Sequence, residues 1–177
     1  MCAALAKHGV DYTIVQCIRV TLEGQLAAAT IGELSRSIGV SRCYLQASVL
    51  SPLLRCVVVN ELLARHNERG VYSQGYTDDI CLLAVGKFPN TVSGLIQWTL
   101  HAVGVWCIEL GLSVNLDKIG LVVFTRRRKL PGLFEPRLFG TTLLSSMAVM
   151  YQGVILDFQL SWREHVDVKV KKAENLF

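Results

Sequence analysis

Apolar side chains recur every three or four residues in several stretches of this chain, a spacing that predicts amphipathic helices. The predicted helices lie at Ala3–His8, between Asp11 and Gly24, from Ser51 to Gly70, from Asn90 or Thr91 to Gly111, and from Trp162 to the C-terminus. The predicted N-caps include Asp11, Ser51 (followed by Pro52) and Ser161. The apolar stripes are Ile14, Val15, Ile18 and Leu22 in the second helix, and Leu54, Val58 and Leu62 in the third.

Shorter runs of apolar and β-branched residues, separated by turn-forming residues, predict β-strands. These runs are Gln25–Ile31 and Leu34–Val40 around Gly32-Glu33, two strands within Val71–Val85, and Leu121–Phe124, Arg137–Phe139 and Val149–Leu156. Helices mixed with hairpins predict an α+β fold, in which an antiparallel sheet is backed by helices. We expect the two strands within Val71–Val85 to lie on a sheet of at least three strands, with the third helix packed beneath it.

The chain is 51% hydrophobic and only 18% charged, which fits either a membrane protein or a core region without its polar surroundings. The longest uncharged run, Phe88–Ile108, contains Pro89, Gln97 and His101, and its apolar residues fall mostly at helical spacing. We therefore predict a helix packed on a sheet and no membrane partner.

The N-terminus has neither a basic segment nor a long apolar segment, so we expect no secretory signal and an intracellular location. The six cysteines form no CxxC pair, which favours reduced thiols in the core. The formal net charge is +4, and Arg126–Lys129 forms a basic run. Lys169, Lys171 and Lys172 add charge near the C-terminus. Such residues are either solvated surface or contacts for phosphates.

The residue types that most clearly suggest a chemical role lie in the segment Tyr76-Thr77-Asp78-Asp79. Adjacent aspartates between apolar strands repel each other unless a positive group meets them. A divalent cation such as Mg²⁺, which prefers oxygen ligands, is one solution. Asp-Asp at a hairpin is also ordinary turn chemistry, so the residues alone leave both interpretations open.

The surrounding segments resemble the reverse transcriptases of LINE-type (non-LTR) retrotransposons. Tyr76–Asp79 resembles the Y-x-D-D motif, Gln46–Leu54 resembles Q-G-x-x-L-S-P-x-L, Leu110–Lys118 resembles G-L-x-x-N-x-x-K, and Tyr151–Asp157 resembles Y-L-G-x-x-L/I-D. Trp162–Val166 is similar to the start of the thumb. Each motif is weak alone, but their order along the chain is specific.

The resemblance implies an RNA-directed DNA polymerase that adds nucleotides by two-metal phosphoryl transfer. Asp78 would be the principal metal ligand and Asp79 the supporting one, and Lys118 would neutralise or protonate the leaving phosphates. The other implied contacts are Gln46, Ala47, Ser51 and Tyr76 for nucleotide and template, and Tyr151 and Gly153 for the primer grip. The implied cofactor is Mg²⁺ or Mn²⁺, and the implied partners are an RNA template, a DNA primer and deoxynucleoside triphosphates.

The resemblance further implies a polymerase palm at residues 1–160 and the start of a thumb at 161–177. The third carboxylate of the family lies in a D-x-x-x-A-F strand before the helix on which this chain opens, at Met1. No substitute is apparent, since Asp11 and Glu23 lie in helix-start and turn contexts. We therefore expect a palm without the fingers and first catalytic strand, and a chain inactive by itself.

Several residues depart from the family's motifs. They are Leu45 in place of proline, Ala47 in place of glycine, Leu116 and Ile119 in the lysine motif, and Gln152 in place of leucine. These departures are what decay of an unselected genomic copy would produce. Two alternatives therefore remain: a nonenzymatic nucleic-acid-binding remnant that uses Arg126–Lys129 and the C-terminal lysines, and a functionless pseudogene product.

Overall fold

The computed structural model describes residues 2–23, 26–32, 34–39, 50–76, 79–127 and 130–175. The chain divides into two compact units, Met1–Leu82 and Leu83–Phe177. Helices and small two-stranded sheets occur along the chain, so the predicted α+β class is confirmed at this coarse level.

The described helices are α1 (Cys2–Lys7), α2 (Tyr12–Glu23), α3 (Leu50–Glu68), α4 (Pro89–Leu110) and α5 (Arg163–Glu174), with a 3₁₀ turn at Leu116–Lys118. The described strands are β1 (Leu26–Ile31), β2 (Leu34–Gly39), β3 (Val71–Tyr76), β4 (Asp79–Ala84), β5 (Leu121–Val122), β6 (Arg137–Leu138), β7 (Thr141–Thr142), β8 (Ser145–Ser146), β9 (Ala148–Tyr151) and β10 (Val154–Asp157).

Helices α1 and α2 and the first turns of α3 enclose the core of the first unit. Its buried side chains are Leu5, Val15, Ile18 and Leu54, against which Cys2, Val10, Leu22 and Val57 pack. Burial of side chains of this size stabilises the fold by about 1.5–3 kcal/mol each. The predicted stripe of α2 is confirmed except at Ile14. That side chain is 53% exposed, because it points about 100° around the helix from its buried neighbour Val15.

The start of α2 follows the predicted capping chemistry. The Asp11 carboxylate accepts a hydrogen bond from the Thr13 N–H at 2.8 Å. This bond and others from the first turn hold the pKa of Asp11 below its ordinary value. Gly111, with φ 65°, ends α4 as predicted.

Three other predicted helix starts are wrong by one or a few residues. Helix α3 begins at Leu50, so Ser51 lies inside it. Helix α4 begins at Pro89, whose fixed φ suits a first turn, with Phe88 as the N-cap and without a side-chain cap. Helix α5 has Trp162 as its N-cap, in a left-handed conformation.

Helix α3 packs against β3, but through a different face from the one predicted. An ideal Cβ built on Gly75 would lie 3.4 Å from Val59 Cγ1 and 3.5 Å from Leu63 Cδ1, so these side chains face the strand. Leu54 instead packs on α1 and α2, and Val58 is half-buried. The predicted stripe is buried at Leu54 and Leu62, but it does not pack on the strand alone, because α1 and α2 cover the start of α3.

Side chains of α3 and β3 also share hydrogen bonds. The Ser73 hydroxyl donates to the Leu63 carbonyl at 3.0 Å, and the Asn67 side-chain oxygen accepts from the Ser73 N–H at 3.0 Å. His66 and Val71 beside them have no exposed surface. The Leu63 carbonyl and the Asn67 side chain of α3 therefore bond directly to β3 at Ser73.

The expected sheet of three or more strands is wrong for the part of the chain that the structure describes, where β3 and β4 pair only with each other. Strands β1 and β2 form the predicted antiparallel hairpin, with Leu26 opposite Gly39 and Ile31 opposite Leu34. The side chains of β2 are exposed on both faces, so no described helix backs this hairpin. Strands β5 and β8, which pair in parallel, are only two residues long, too short to extend a larger sheet.

Helix α4 organises the segment around β6 in the second unit. The Gln97 amide donates to the Arg137 carbonyl at 3.0 Å, and its oxygen accepts from the Arg137 N–H at 2.7 Å. The Ser93 hydroxyl accepts from the Phe134 N–H at 3.2 Å. Among the described helices, α4 alone is long and apolar enough to cross a membrane, a test that core helices of globular proteins also pass.

Candidate functional site

The described residues of the aspartate segment, Tyr76 and Asp79, lie at strand ends. Tyr76 is the last residue of β3 and Asp79 the first residue of β4, and the two strands pair with each other. Thr77 and Asp78, which connect them in the sequence, lie outside the described residues. Helix α3 positions the hairpin through Val59 and Leu63 behind Gly75.

Asp79 has the properties of a ligand for a hard cation, but not of a complete site. Asp79 is the first residue of β4, and its carboxylate is an oxygen donor of the kind that Mg²⁺ prefers. No group of three His, Cys, Asp or Glu side chains within the described ranges is placed to hold a metal. The metal assignment for Asp78 and Asp79 therefore remains a prediction.

The remaining site residues of the first unit are only partly described. Tyr76 is 54% exposed at the strand end. Ser51 is half-buried in the first turn of α3, the helix that supports the hairpin. Gln46 and Ala47, the predicted template contacts, lie outside the described residues.

Lys118 lies in the second unit, in the 3₁₀ turn at Leu116–Lys118. The Asn115 side chain caps this turn by accepting from the Asp117 N–H at 3.1 Å. The Lys118 side chain is exposed, so its ammonium group is available to phosphates. The turn therefore presents a cation, and the asparagine of the predicted motif has a structural role.

Gly120 lies between this turn and β5, against Val149 of β9. A Cβ built at position 120 would collide with Val149 Cγ2 and lie 3.2 Å from Val149 Cβ. The backbone after Lys118 therefore approaches β9 more closely than any other residue type allows. Sequence reasoning missed this glycine, although a glycine so near a predicted site lysine is a signal for close backbone approach.

Tyr151 and Gly153 lie at the turn of the β9–β10 hairpin. Strands β9 and β10 are antiparallel with Tyr151 opposite Val154, and the two turn residues both have positive φ, 50° at Gln152 and 76° at Gly153. Positive φ at both positions is the pattern of a type I′ turn, which matches the twist of a hairpin. The Gln152 amide donates to the Tyr151 hydroxyl at 2.9 Å. The tip of the predicted primer grip is thus a tight turn with a phenol–amide pair.

Asp157 and His165 connect this hairpin to α5, in roles that sequence reasoning missed. The Asp157 carboxylate accepts from the Ser161 N–H at 2.9 Å and from the Trp162 N–H at 3.0 Å. These bonds hold the pKa of Asp157 below its ordinary value. The His165 Nδ1 accepts from the Ile155 N–H at 3.2 Å. Asp157 therefore shapes the turn before α5, and His165 docks the helix on β10.

Comparison with known proteins confirms the predicted resemblance. The chain is 27% identical over 168 residues to the RNA-directed DNA polymerase from mobile element jockey of Drosophila funebris, covering 91% of this chain and 18% of that protein. It is 25% identical over 133 residues to the probable RNA-directed DNA polymerase from transposon X-element of Drosophila melanogaster, covering 71% of this chain and 14% of that protein. The jockey polymerase of Drosophila melanogaster is 27% identical over 127 residues, covering 68% and 14%.

The chain spans less than a fifth of the length of these curated relatives, 14% to 18%. No family model and no solved structure matches it. The chain is therefore similar, over most of its length, to the RNA-directed DNA polymerases of LINE-type mobile elements.

Proposed function

We propose that this chain is a segment of the RNA-directed DNA polymerase of a LINE-type mobile element and supplies the aspartates for template-directed nucleotide addition. The supporting observation is that Tyr76 and Asp79 end and begin two paired strands, within a sequence similar to such polymerases over 91% of its length. In this proposal residues 1–160 are the palm and 161–177 the start of the thumb.

The proposed chemistry assigns a role to each side chain. Asp78 and Asp79 would hold Mg²⁺ or Mn²⁺, which stabilises the attacking and departing oxygens of the phosphoryl transfer. Lys118 would neutralise or protonate the leaving phosphates. Contacts to template and nucleotide would come from Gln46, Ala47, Ser51 and Tyr76.

The β9–β10 hairpin would hold the primer end through Tyr151 and Gly153. In its type I′ turn the Tyr151 hydroxyl accepts from the Gln152 amide, and Gly153 has no side chain that would hinder a close approach of the primer. The proposed partners are accordingly an RNA template, a DNA primer and deoxynucleoside triphosphates, inside the cell.

A chimeric polymerase tests this proposal. The matching segment of the Drosophila funebris jockey polymerase would be replaced by this chain, and primer extension on an RNA template measured with Mg²⁺. We expect extension that falls by at least about a thousandfold on Asp78→Asn, since mispositioned charge at the transferred phosphate costs several kcal/mol of barrier. Asp117→Asn, on the exposed 3₁₀ turn, is the matched control and should retain extension.

A chimera that shows no primer extension would be tested again after Ala47→Gly and Gln152→Leu. Recovery of extension that again depends on Asp78 would support the family role and show that this copy has decayed. Extension indifferent to Asp78→Asn, or silence after both reversions, would contradict the proposal and favour a functionless product.

A further inference from the structure

We infer that a cleft in the second unit binds a single-stranded nucleic acid, through its phosphates and one unpaired base. Phe124–Arg127 line one side of this cleft and Phe158–Leu160 the other, around a volume of about 820 Å³. That volume lies within the range of pockets for small organic molecules, about 300–1,000 Å³. The inference concerns a site apart from the proposed aspartate hairpin and does not depend on polymerase activity.

The charge of the cleft favours an anionic ligand. Arg126 and Arg127 have no ion-pair partner among the residues that the structure describes. The described lining contains no acidic residue. Asp157 is the nearest acid along the chain, but its carboxylate accepts the N–H groups of its own turn rather than a guanidinium. Both guanidinium groups therefore keep their donors for phosphate oxygens.

The aromatic rings of the cleft distinguish a single strand from a duplex. Phe124 is 41% exposed beside the arginines, and Phe158 is half-buried on the opposite side. An exposed aromatic ring stacks on an unpaired base irrespective of its identity. In a duplex the faces of the bases are covered by their neighbours, so only the phosphates would be left to contact the cleft.

Both sides of the cleft are held in place before any ligand arrives. The Thr125 hydroxyl accepts from the Arg127 N–H at 3.1 Å, which fixes the turn that carries the arginines. The Asp157 carboxylate accepts from the Gln159 N–H at 3.0 Å, which fixes the turn after Phe158. A site whose backbone is already ordered loses less conformational entropy on binding.

Fluorescence anisotropy of the complete chain with labelled oligo-dT and oligo-rU of about twelve nucleotides tests the inference. Binding would be measured in EDTA over a range of salt concentrations, so that a failure of the proposed metal site has no influence on the result. The test variants are Arg126→Gln with Arg127→Gln, and Phe124→Leu. The matched control, Arg36→Gln with Lys87→Gln, removes the same charge from two exposed positions that do not line the cleft.

We expect the double-arginine variant to bind at least tenfold more weakly, with the salt slope reduced by roughly 0.7 for each phosphate that is no longer neutralised. Phe124→Leu should weaken binding by about fivefold or more while the salt slope stays unchanged. When oligo-rU that contains 4-thiouridine is photocrosslinked to the chain, the label should attach to peptides that contain Phe124 or Phe158. If the variants lose equal affinity for oligo-dT and oligo-rU, the cleft contacts only phosphates and bases. A larger loss for oligo-rU would indicate an additional contact to the 2′-hydroxyl.

Three results would overturn the inference. They are unchanged binding by the double-arginine variant, an equal reduction of affinity in the Arg36→Gln, Lys87→Gln control, or a duplex that binds as tightly as the single strand. Circular dichroism of each variant would verify that the substitutions leave the fold intact.

Discussion

Gly120 shows at the scale of one residue how a missing side chain positions a predicted site lysine. We predict that Gly120→Ala destabilises the chain by about 1–3 kcal/mol, because its Cβ would overlap the Val149 side chain. Urea denaturation would measure the change. In the double variant with Val149→Ala, the collision is relieved and the two changes should couple by at least about 0.5 kcal/mol. Additive effects would show that the contact between these residues does not limit position 120.

His66 is the residue from which a pH dependence follows. Its side chain is fully buried, and burial lowers its pKa below the ordinary value. The unfolded chain therefore binds a proton more readily, so the stability from neutral His66 is complete above about pH 6.5 and falls as the pH drops below that value. We predict a decrease of at most about 1.4 kcal/mol per pH unit in that range.

Unfolding at pH 7.5 and pH 5.5 would measure this decrease, and His66→Gln should reduce the slope. His101, which is exposed on α4, gives the matched control: His101→Gln should leave the slope unchanged. Equal slopes in the wild type and His66→Gln would assign the pH dependence to other groups.

At the scale of elements, two positions on one face of α3 predict different costs for the same substitution. Leu62 is 3% exposed, whereas Val58 is half-buried. Leu62→Asp should destabilise the chain by roughly 3–5 kcal/mol, since it buries an unpaired charge. Val58→Asp should cost less, because its carboxylate can reach water. Melting curves of the two variants would rank them, and a larger destabilisation at Val58 would contradict this order.

Elements with a strong local signal could be predicted from the sequence. Asp11 and Gly111 began and ended helices where their chemistry required, and the β1–β2 hairpin formed around Gly32. Strands β7 and β8 were missed because they are two residues long, and β8 also depends on a distant partner, β5. The packing partners of α3 were only partly predictable for a similar reason, since spacing alone does not tell which neighbour covers each turn.

Some parts of the candidate site could likewise be predicted from the sequence, and others could not. The end of β3 at Tyr76 and the start of β4 at Asp79 were predictable, because apolar residues flank a polar pair in the sequence. The cleft between Phe124 and Phe158 was not, because these residues lie far apart in the sequence and meet only in the folded unit. His165 was equally hidden, since its bond to the Ile155 backbone leaves no mark on local periodicity.

At the scale of the whole molecule, we predict that this 177-residue polypeptide alone adds no nucleotides to a primed RNA template, with Mg²⁺ or Mn²⁺. The chain spans at most 18% of the length of its relatives. Asp78 and Asp79 are only two of the three carboxylates that the resemblance implies, so we expect metal to be weakly held and poorly placed. A gel-based extension assay would detect product, and Asp78-dependent product from this polypeptide would contradict the prediction.

The paired hydrogen bonds between Gln97 and Arg137 have a consequence for amide hydrogen exchange. Strand β6 is two residues long, and isolated pairings of that length open readily. The Arg137 N–H, however, donates to a side chain anchored on a helix of 22 residues. Its exchange should therefore follow the opening of α4 and be much slower than that of Thr142 across the strand pair. In Gln97→Leu the two amides should exchange at similar rates, and a still-protected Arg137 would contradict the role of Gln97.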